Sequence, residues 1–225
     1  LNANLRYAIP LKLEKVFHNK IIKTICRRGK HGIIITNADY HLHFHLGMTG
    51  NFKIINSTNI IINKHDHLLI MLSKKISLIY NDIRKFGYIS LIKKPFDIVQ
   101  FKNLGSEHSL LNKSIKQVTT KIHSKKKSIK DLLLDQSIIA GIGNIYANEI
   151  LFDAKVHPAF IANKLSSRQI NKIIQSATII LEKAIVKGGS SIKDYKNIEG
   201  NLGYFQNEFK VYAKEGSSCL KCKNL

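Results

Sequence analysis

The spacing of apolar residues changes once along this 225-residue chain, and that change most constrains its fold. Before about residue 95 the apolar residues lie in short β-branched or aromatic segments separated by turn-forming residues, which is typical of antiparallel strands. Five segments are predicted as strands: 32–36, 40–46, 51–55, 67–72 and 76–80. After residue 106 the spacing is helical. The sequence therefore predicts an α+β protein, in which an antiparallel β-sandwich precedes a helical domain.

The clearest helix is predicted for Ser167–Lys187. Ser166 and Gln169 form a capping-box pattern before it, and two glycines at 188–189 follow it as a stop signal. Its apolar residues recur three or four positions apart: Ile170, Ile173, Ile174, Ala177, Leu181, Ala184 and Ile185. We therefore expect an amphipathic helix that buries this stripe.

The chain carries 36 Lys or Arg against 15 Asp or Glu, a formal net charge of +21. Such an excess favours a polyanionic partner, most often nucleic acid. AT-rich coding DNA, which enriches Lys, Ile and Asn, is the alternative explanation. No apolar run approaches the ~18 residues of a membrane span, and three cysteines do not make a disulfide framework. We therefore expect a cytoplasmic protein with no membrane partner.

Two histidine clusters raise the question of a metal site. His41, His43 and His45 alternate, so on a strand they face one side. No Cys, Asp or Glu nearby completes a ligand set, and a metal-free strand face is favoured. His65 and His67 form a similar pair, for which a phosphate or backbone contact is favoured over metal ligation.

Cys219 and Cys222 have the spacing of one half of a four-cysteine zinc ribbon, because a tight knuckle presents both thiolates to one tetrahedral ion. The only further cysteine in the 225 residues is Cys26. We therefore expect an incomplete zinc site. A thioredoxin-like role is disfavoured, because no βαβ pattern surrounds the pair.

Residues 135–158 (DQSIIAGIGNIYANEILFDAKVHP) form the most informative segment. Gly141 and Gly143 predict a tight turn, after which Asn144 begins a helix. Glycines at a helix N-terminus let backbone N–H groups approach a phosphate, and the Asn144 amide adds a donor. Because glycines also cap helices for purely structural reasons, this turn alone does not indicate a phosphate site. The surrounding sequence must decide.

That context resembles the helix–two-turn–helix signature of the bacterial formamidopyrimidine-DNA glycosylase family. Other segments are similar to that family's motifs in the same order: CRRGKHGIII (26–35), HLGMTG (45–50), KHDH (64–67), DIRKFG (82–87), KKKSIK (125–130), GGSSIKDY (188–195), GYFQ (203–206) and VYAKEGSSCLKC (211–222). The resemblance covers nearly the whole chain. It implies a β-sandwich at 1–105, a helix–two-turn–helix domain at 106–198 and an incomplete zinc-finger hairpin at 199–225.

The resemblance implies a base-excision repair enzyme, a DNA glycosylase and abasic-site lyase that acts as a monomer. Family members remove oxidised purines, such as 8-oxoguanine and formamidopyrimidines, from double-stranded DNA. They then cleave the strand through an imine and β- and δ-elimination. Chemistry on a duplex base requires flipping it out and filling the space left behind. By resemblance, the inserted residues are Met48, Arg84 and Phe86.

Further positions carry over in the same way. Lys30 matches the family's catalytic lysine, and Asn144 matches its phosphate contact at the helix–two-turn–helix. His65, Arg84 and Lys125 match DNA contacts, although for Lys125 a solvated charge run is the alternative. Cys219 and Cys222 match two of the four ligands of the family's zinc ion, one per chain. The loop 188–195 resembles the segment that closes over the flipped base.

The sequence also departs from the family pattern. Family members begin with a proline, whose amine attacks the sugar, and a glutamate, whereas residues 1–10 resemble sequence further inside the first domain. Ile83 stands where the family has proline, and Lys85 where it has arginine. Three interpretations follow: a fragment of a repair enzyme, an eroded relative, or a non-catalytic protein that still binds damaged DNA. We expect DNA binding to be retained better than catalysis. A basic RNA-binding protein would explain the charge but not the motif order.

Overall fold

A computed structural model describes residues 5–190, 203–219 and 221–223. The chain divides into two compact units, one made of Leu1–Phe101 with Ser190–Gly203, the other of Lys102–Gly189 with Tyr204–Leu225. We call them the β unit and the helical unit. The antiparallel sheets precede the helices of the helical unit along the chain, so the predicted α+β class is confirmed. Most of the predicted closing loop 188–195 lies outside the described residues.

The β unit is built from two antiparallel sheets. Its described strands are β1 (Ile22–Arg28), β2 (His31–Thr36), β3 (His41–His45), β4 (Asn51–Asn56), β5 (Asp66–Met71), β6 (Ile76–Asn81) and β7 (Tyr88–Ile92). One sheet has the order β1-β2-β3-β7 and the other β4-β6-β5. Two short helices, α1 (Leu13–Phe17) and α2 (Val99–Lys102), precede and follow the strands in sequence.

A small apolar core lies between the two sheets. Its buried members are Ile9, Leu13, Ile34, Leu42, Tyr80 and Ile89. Phe44 of the first sheet meets Phe52 of the second edge to face, with ring centroids 4.9 Å apart. The inward side chains of both sheets therefore interdigitate, as in a β-sandwich.

The five predicted strands agree with β2 to β6 to within about one residue at each end. The sequence prediction missed β1 and β7. β1 is the edge of its sheet and is exposed along most of its length, so it lacks a buried apolar face. β7 pairs with β3, placing Tyr88 opposite His45, and local spacing does not reveal so distant a pairing.

The helical unit contains α3 (Ile115–His123), α4 (Ile129–Leu134), α5 (Asn144–Ala154) and α6 (Ser167–Val186). Single-turn 3-10 helices lie at His108–Leu110, Ala162–Lys164 and Phe205–Glu208. The described core has 24 buried apolar residues, among them fully buried Ile150 and Ile173. None of the helices among the described residues is long and apolar enough to cross a membrane.

The capping box before α6 is confirmed. The Ser166 hydroxyl accepts a hydrogen bond from the Gln169 N–H at 3.3 Å, and the Ser166 N–H donates to Gln169 Oε1 at 2.9 Å. The predicted stripe was wrong at its end, where Ile185 is 63% exposed and Ile180 is buried instead. A 3.6-residue repeat that starts at Ile173 returns to the buried face near Ile180, not at Ile185.

Candidate nucleic-acid interface

Two turns of the β unit carry the three residues predicted to enter DNA. The turn 46–50 connects β3 to β4 and holds Met48, whereas the turn 82–87 connects β6 to β7 and holds Arg84 and Phe86. We call them the insertion turns. Met48 is 68% exposed and Phe86 45% exposed, so neither fills the core. The Arg84 guanidinium carbon lies 4.7 Å from the centroid of the Phe86 ring, a cation–π arrangement.

The insertion turns approach each other through their backbones. Gly47 adopts φ +63°, and a Cβ there would lie 2.6 Å from the Gly87 nitrogen. A Cβ on Gly87 would lie 1.9 Å from the Tyr80 hydroxyl oxygen. Glycine is therefore required at both positions by the available space. Between Arg84 and Phe86, Lys85 adopts φ +58°, which is uncommon for a residue with a side chain.

His65 lies beside the second insertion turn. It precedes β5 and is half-buried, and its carbonyl accepts a hydrogen bond of 3.0 Å from the Asp82 N–H. The β unit thus brings together four of the sequence-predicted residues, Met48, His65, Arg84 and Phe86.

Lys30 lies in the turn between β1 and β2. A cluster of imidazole and aromatic rings lies near this turn. The cluster comprises His31, His43, His45, Tyr88 and Phe101. Partial burial lowers the pKa of the Lys30 amine from its usual value. Burial also lowers the pKa of His45, and the charges of Lys30 and Arg6 lower it further. Lys30 therefore lies within electrostatic range of an imidazole.

His31 and His43 form a neutral pair inside this cluster. His43 Nε2 lies 3.2 Å from His31 Nδ1, and His43 Nδ1 lies 3.0 Å from the Ser90 hydroxyl. Burial lowers the pKa of each imidazole to about 4, and repulsion between the histidines adds to the effect. The sequence predicted a metal-free strand face for these histidines but not this cluster, although their alternation was its visible signal.

Asn144 is the first residue of α5, after Gly143 as N-cap, and its side chain is exposed. It borders a cavity of about 820 Å³ within the helical unit. Three lysines, Lys130, Lys155 and Lys221, also line that cavity. The N–H groups at a helix N-terminus attract phosphate, and the three ammonium groups add positive charge to the lining of the cavity.

Lys125 is exposed in the connection between α3 and α4, at the start of a run of three lysines. Hydrogen bonds from Ser137 lower the pKa of Asp135, and the charges of Lys127 and Lys125 lower it further. The Lys125 charge therefore lies near the segment that leads to α5.

Cys219 is half-buried and Cys222 exposed, and both border the same cavity as Asn144. Hydrogen bonds from the backbone of Cys222 and Lys221 lower the pKa of the Cys219 thiol. Among the described residues, no three His, Cys, Asp or Glu side chains are grouped to hold a metal ion. These residues therefore do not fit a closed zinc site, which needs four ligands.

Glu149 has a role that sequence reasoning missed. Its side chain is buried in α5, and its carboxylate accepts hydrogen bonds from the N–H groups of Lys210, Val211 and Tyr212 at 2.8–3.0 Å. These hydrogen bonds hold the segment that leads to the two cysteines against α5. Only the unusual position of an acid among apolar helix residues could have indicated this.

Comparison with known proteins assigns the chain to a family. The family model for the formamidopyrimidine-DNA glycosylase N-terminal domain matches residues 1–89, and the model for that family's H2TH domain matches residues 104–196. The formamidopyrimidine-DNA glycosylase of Zymomonas mobilis is 41% identical over 219 residues, which are 96% of this chain and 80% of that protein. That of Rickettsia africae is 40% identical, over 98% of this chain and 81% of the relative. The chain belongs to the formamidopyrimidine-DNA glycosylase family.

Solved structures agree with this assignment. The Lactococcus lactis Fpg bound to DNA with an abasic site superposes with a TM-score of 0.87 at 38% identity, covering 94% of this chain and 78% of that one. A variant of the same protein in complex with Fapy-dG DNA also superposes with a TM-score of 0.87, at 37% identity and with the same coverage of the two chains.

Proposed function

We propose that this protein is a DNA glycosylase of base-excision repair that removes oxidised purines from double-stranded DNA. Relatives at about 40% identity are formamidopyrimidine-DNA glycosylases, and the similar solved structures are complexes with abasic-site or Fapy-dG DNA. The observation that carries the proposal is the outward presentation of Met48, Arg84 and Phe86 on two joined turns. Such an enzyme works where the DNA lies, in the cytoplasm.

The insertion turns fit the mechanical part of the task. Met48 is unbranched and Phe86 is flat, so each can enter a stack of bases, and Arg84 can hydrogen-bond the base left without a partner. Cation–π contact with Phe86 keeps the guanidinium beside that ring. These three residues would fill the space from which the damaged base departs.

His65, Lys125 and Asn144 are proposed to contact phosphates. An imidazole, an ammonium and an amide bind the backbone without reading sequence, which suits a protein that must scan all DNA. Each phosphate contact made by a cation contributes roughly 0.9 to the slope of log affinity against log salt. A steep loss of duplex affinity with salt is therefore expected.

Lys30 is proposed as the catalytic amine near the lesion. Partial burial lowers the pKa of its amine, the direction that favours the neutral, nucleophilic form. Attack on C1′ of an abasic site forms an imine with loss of water. No step is assigned to zinc. Cys219 and Cys222 could supply two of the four ligands that such an ion requires.

Binding to a duplex with one tetrahydrofuran abasic analogue, compared with the undamaged duplex, tests the proposal. We expect the lesion to be preferred, and Met48→Ala to reduce that preference about tenfold. Met71→Ala is the matched control, because Met71 is 73% exposed on a strand of the same unit and lies outside the insertion turns. Equal affinity of the unchanged protein for both duplexes would contradict the proposal.

Borohydride trapping on a true abasic site tests the chemistry. Hydride reduces the imine carbon and leaves a stable protein–DNA adduct. An adduct that Lys30→Gln abolishes supports Lys30 as the amine, whereas an adduct that persists assigns the chemistry to another amine. Lesion binding without an adduct favours a second candidate, a non-catalytic protein that binds damaged DNA. This second candidate is supported because six described residues are proposed to contact DNA, whereas Lys30 is the one described residue proposed as the attacking amine.

A further inference from the structure

Asp82 is the first residue of the second insertion turn, and its side chain is completely buried. Its carboxylate accepts hydrogen bonds from the Thr49 hydroxyl at 2.5 Å, the Gly87 N–H at 2.8 Å and the Tyr80 hydroxyl at 3.3 Å. Thr49 belongs to the first insertion turn and Gly87 to the second. One buried carboxylate therefore binds donors from both turns.

Thr49 adds a second connection. Its hydroxyl donates to Asp82 and accepts a hydrogen bond of 3.1 Å from the Arg84 N–H. The hydroxyl thus lies between the carboxylate and the backbone of the residue proposed to contact the orphaned base. A side chain without a hydroxyl could make neither bond.

The Asp82 backbone extends the network to β5. Its N–H donates to the His65 carbonyl at 3.0 Å, and its carbonyl accepts a hydrogen bond of 2.9 Å from His67 Nε2. His67 is 2% exposed. Asp82 therefore connects the segment of a proposed phosphate contact with both insertion turns.

We propose that Asp82 and Thr49 are positioning residues that hold the two insertion turns as one preassembled group. The inference rests on the proposed function, because it names what gives the same site its shape. Groups that must enter a base stack together bind better when their relative geometry is fixed before contact, since less conformational freedom is lost on binding. If the two turns moved independently, their conformational freedom would be lost when they insert at a lesion, and binding to undamaged duplex would not be affected.

The test uses the full chain with Thr49→Val, which keeps the shape of the side chain, and Thr49→Ser, which keeps the hydroxyl. A duplex carries a tetrahydrofuran analogue with 2-aminopurine in the opposite strand, whose fluorescence rises when the neighbouring bases unstack. We expect Thr49→Val to lower the ratio of lesion to undamaged affinity about tenfold, because the buried carboxylate loses one of its donors, and to remove most of the fluorescence rise. Thr49→Ser is expected to keep both the affinity ratio and the fluorescence rise.

Ser77→Ala is the structural control. Ser77 is fully buried, and its hydroxyl lies 2.7 Å from that of Ser57, within the same sheet and away from the insertion turns. It is expected to lower the melting temperature without changing the fluorescence rise. If Thr49→Val lowers only the melting temperature, the positioning role is wrong while the proposed function stands. If the unchanged protein shows neither lesion preference nor fluorescence rise, both are wrong.

Discussion

The β unit and the helical unit are stabilised by different means. The helical unit has 24 buried apolar residues in its described core, whereas the β unit's cluster has six. Buried polar side chains have the opposite distribution, with eight of the ten described ones in the β unit and only Glu149 and Ser176 in the helical unit. Hydrophobic burial therefore dominates one unit, and buried polar groups are concentrated in the other.

Two polar groups of the β unit lie where the proposed chemistry lies. Asp82 binds the insertion turns, and the His31–His43 pair lies beside Lys30. Hydrogen-bonded polar networks favour a single geometry, whereas apolar cores tolerate exchange of similar side chains. The comparison indicates that the helical unit gains stability and the β unit gains precision of shape.

The largest expected effect is a cavity in the apolar core. Ile150→Ala removes a fully buried side chain of α5 and should cost roughly 2–5 kcal/mol of the free energy of unfolding. Hydrogen exchange followed by mass spectrometry should show lost protection in α4 to α6 and unchanged protection in β2 and β3. Ile179→Ala, at a position 50% exposed on α6, is the control and should cost little. Equal loss of protection in both units would contradict the difference between the two cores.

Acid should destabilise the β unit first. The pKa values of His31 and His43 are lowered to about 4 in the folded state, against about 6.5 unfolded. The unfolded state therefore binds more protons, so this stability is complete above pH 6.5 and is lost as the pH falls towards 4. Solvent screening around the half-buried His31, and the repulsion that the two imidazoles share, keep the loss for the pair well below the sum of two separate shifts, on the order of 3 kcal/mol.

Replacing the buried imidazole tests that prediction. In urea unfolding at several pH values, His43→Leu should flatten the loss of β-unit stability between pH 6.5 and 4. His18→Gln changes an exposed histidine of the same unit and should leave the pH profile as it is. An unchanged profile in His43→Leu would show that the pair is not the acid-sensitive element.

A smaller effect is expected at Glu149, the buried carboxylate of the helical unit. Glu149→Gln replaces one accepting oxygen by a donor that faces backbone N–H groups, and should cost about 2 kcal/mol. Hydrogen exchange should increase in residues 203–219 more than in α5. Glu182→Gln on the exposed face of α6 is the matched control. Loss of protection confined to α5 would mean that Glu149 serves the helix and not the segment.

The smallest effect is expected at the start of α6. Ser166→Ala removes the hydroxyl that caps the helix and should cost about 1 kcal/mol. Ser167→Ala, one position later and also exposed, should be nearly neutral. Thermal melting of the two variants side by side measures the difference, and equal melting temperatures would argue against the cap.

Sequence reasoning succeeded where information is local. The short β-branched and aromatic segments between turn residues gave β2 to β6, and Ser166 with Gln169 gave the start of α6, because both signals lie within a few residues of sequence. It failed at β1, which has little apolar alternation, and at Ile185, which is exposed although the preceding Ala184 is buried. The roles assigned to Lys30, Lys125 and Asn144 came from the family resemblance and stay predictions.

The sequence by itself determined the fold class, the family and the residues proposed to enter DNA. Only the tertiary structure decided what holds those residues in place. Thr49 lies 33 residues from Asp82, and Glu149 lies 61 residues from Lys210, so neither contact leaves a periodic signal in the sequence. Hydrogen bonds between distant segments depend on the directions in which the folded backbone points the donors and acceptors, and only the assembled fold sets those directions.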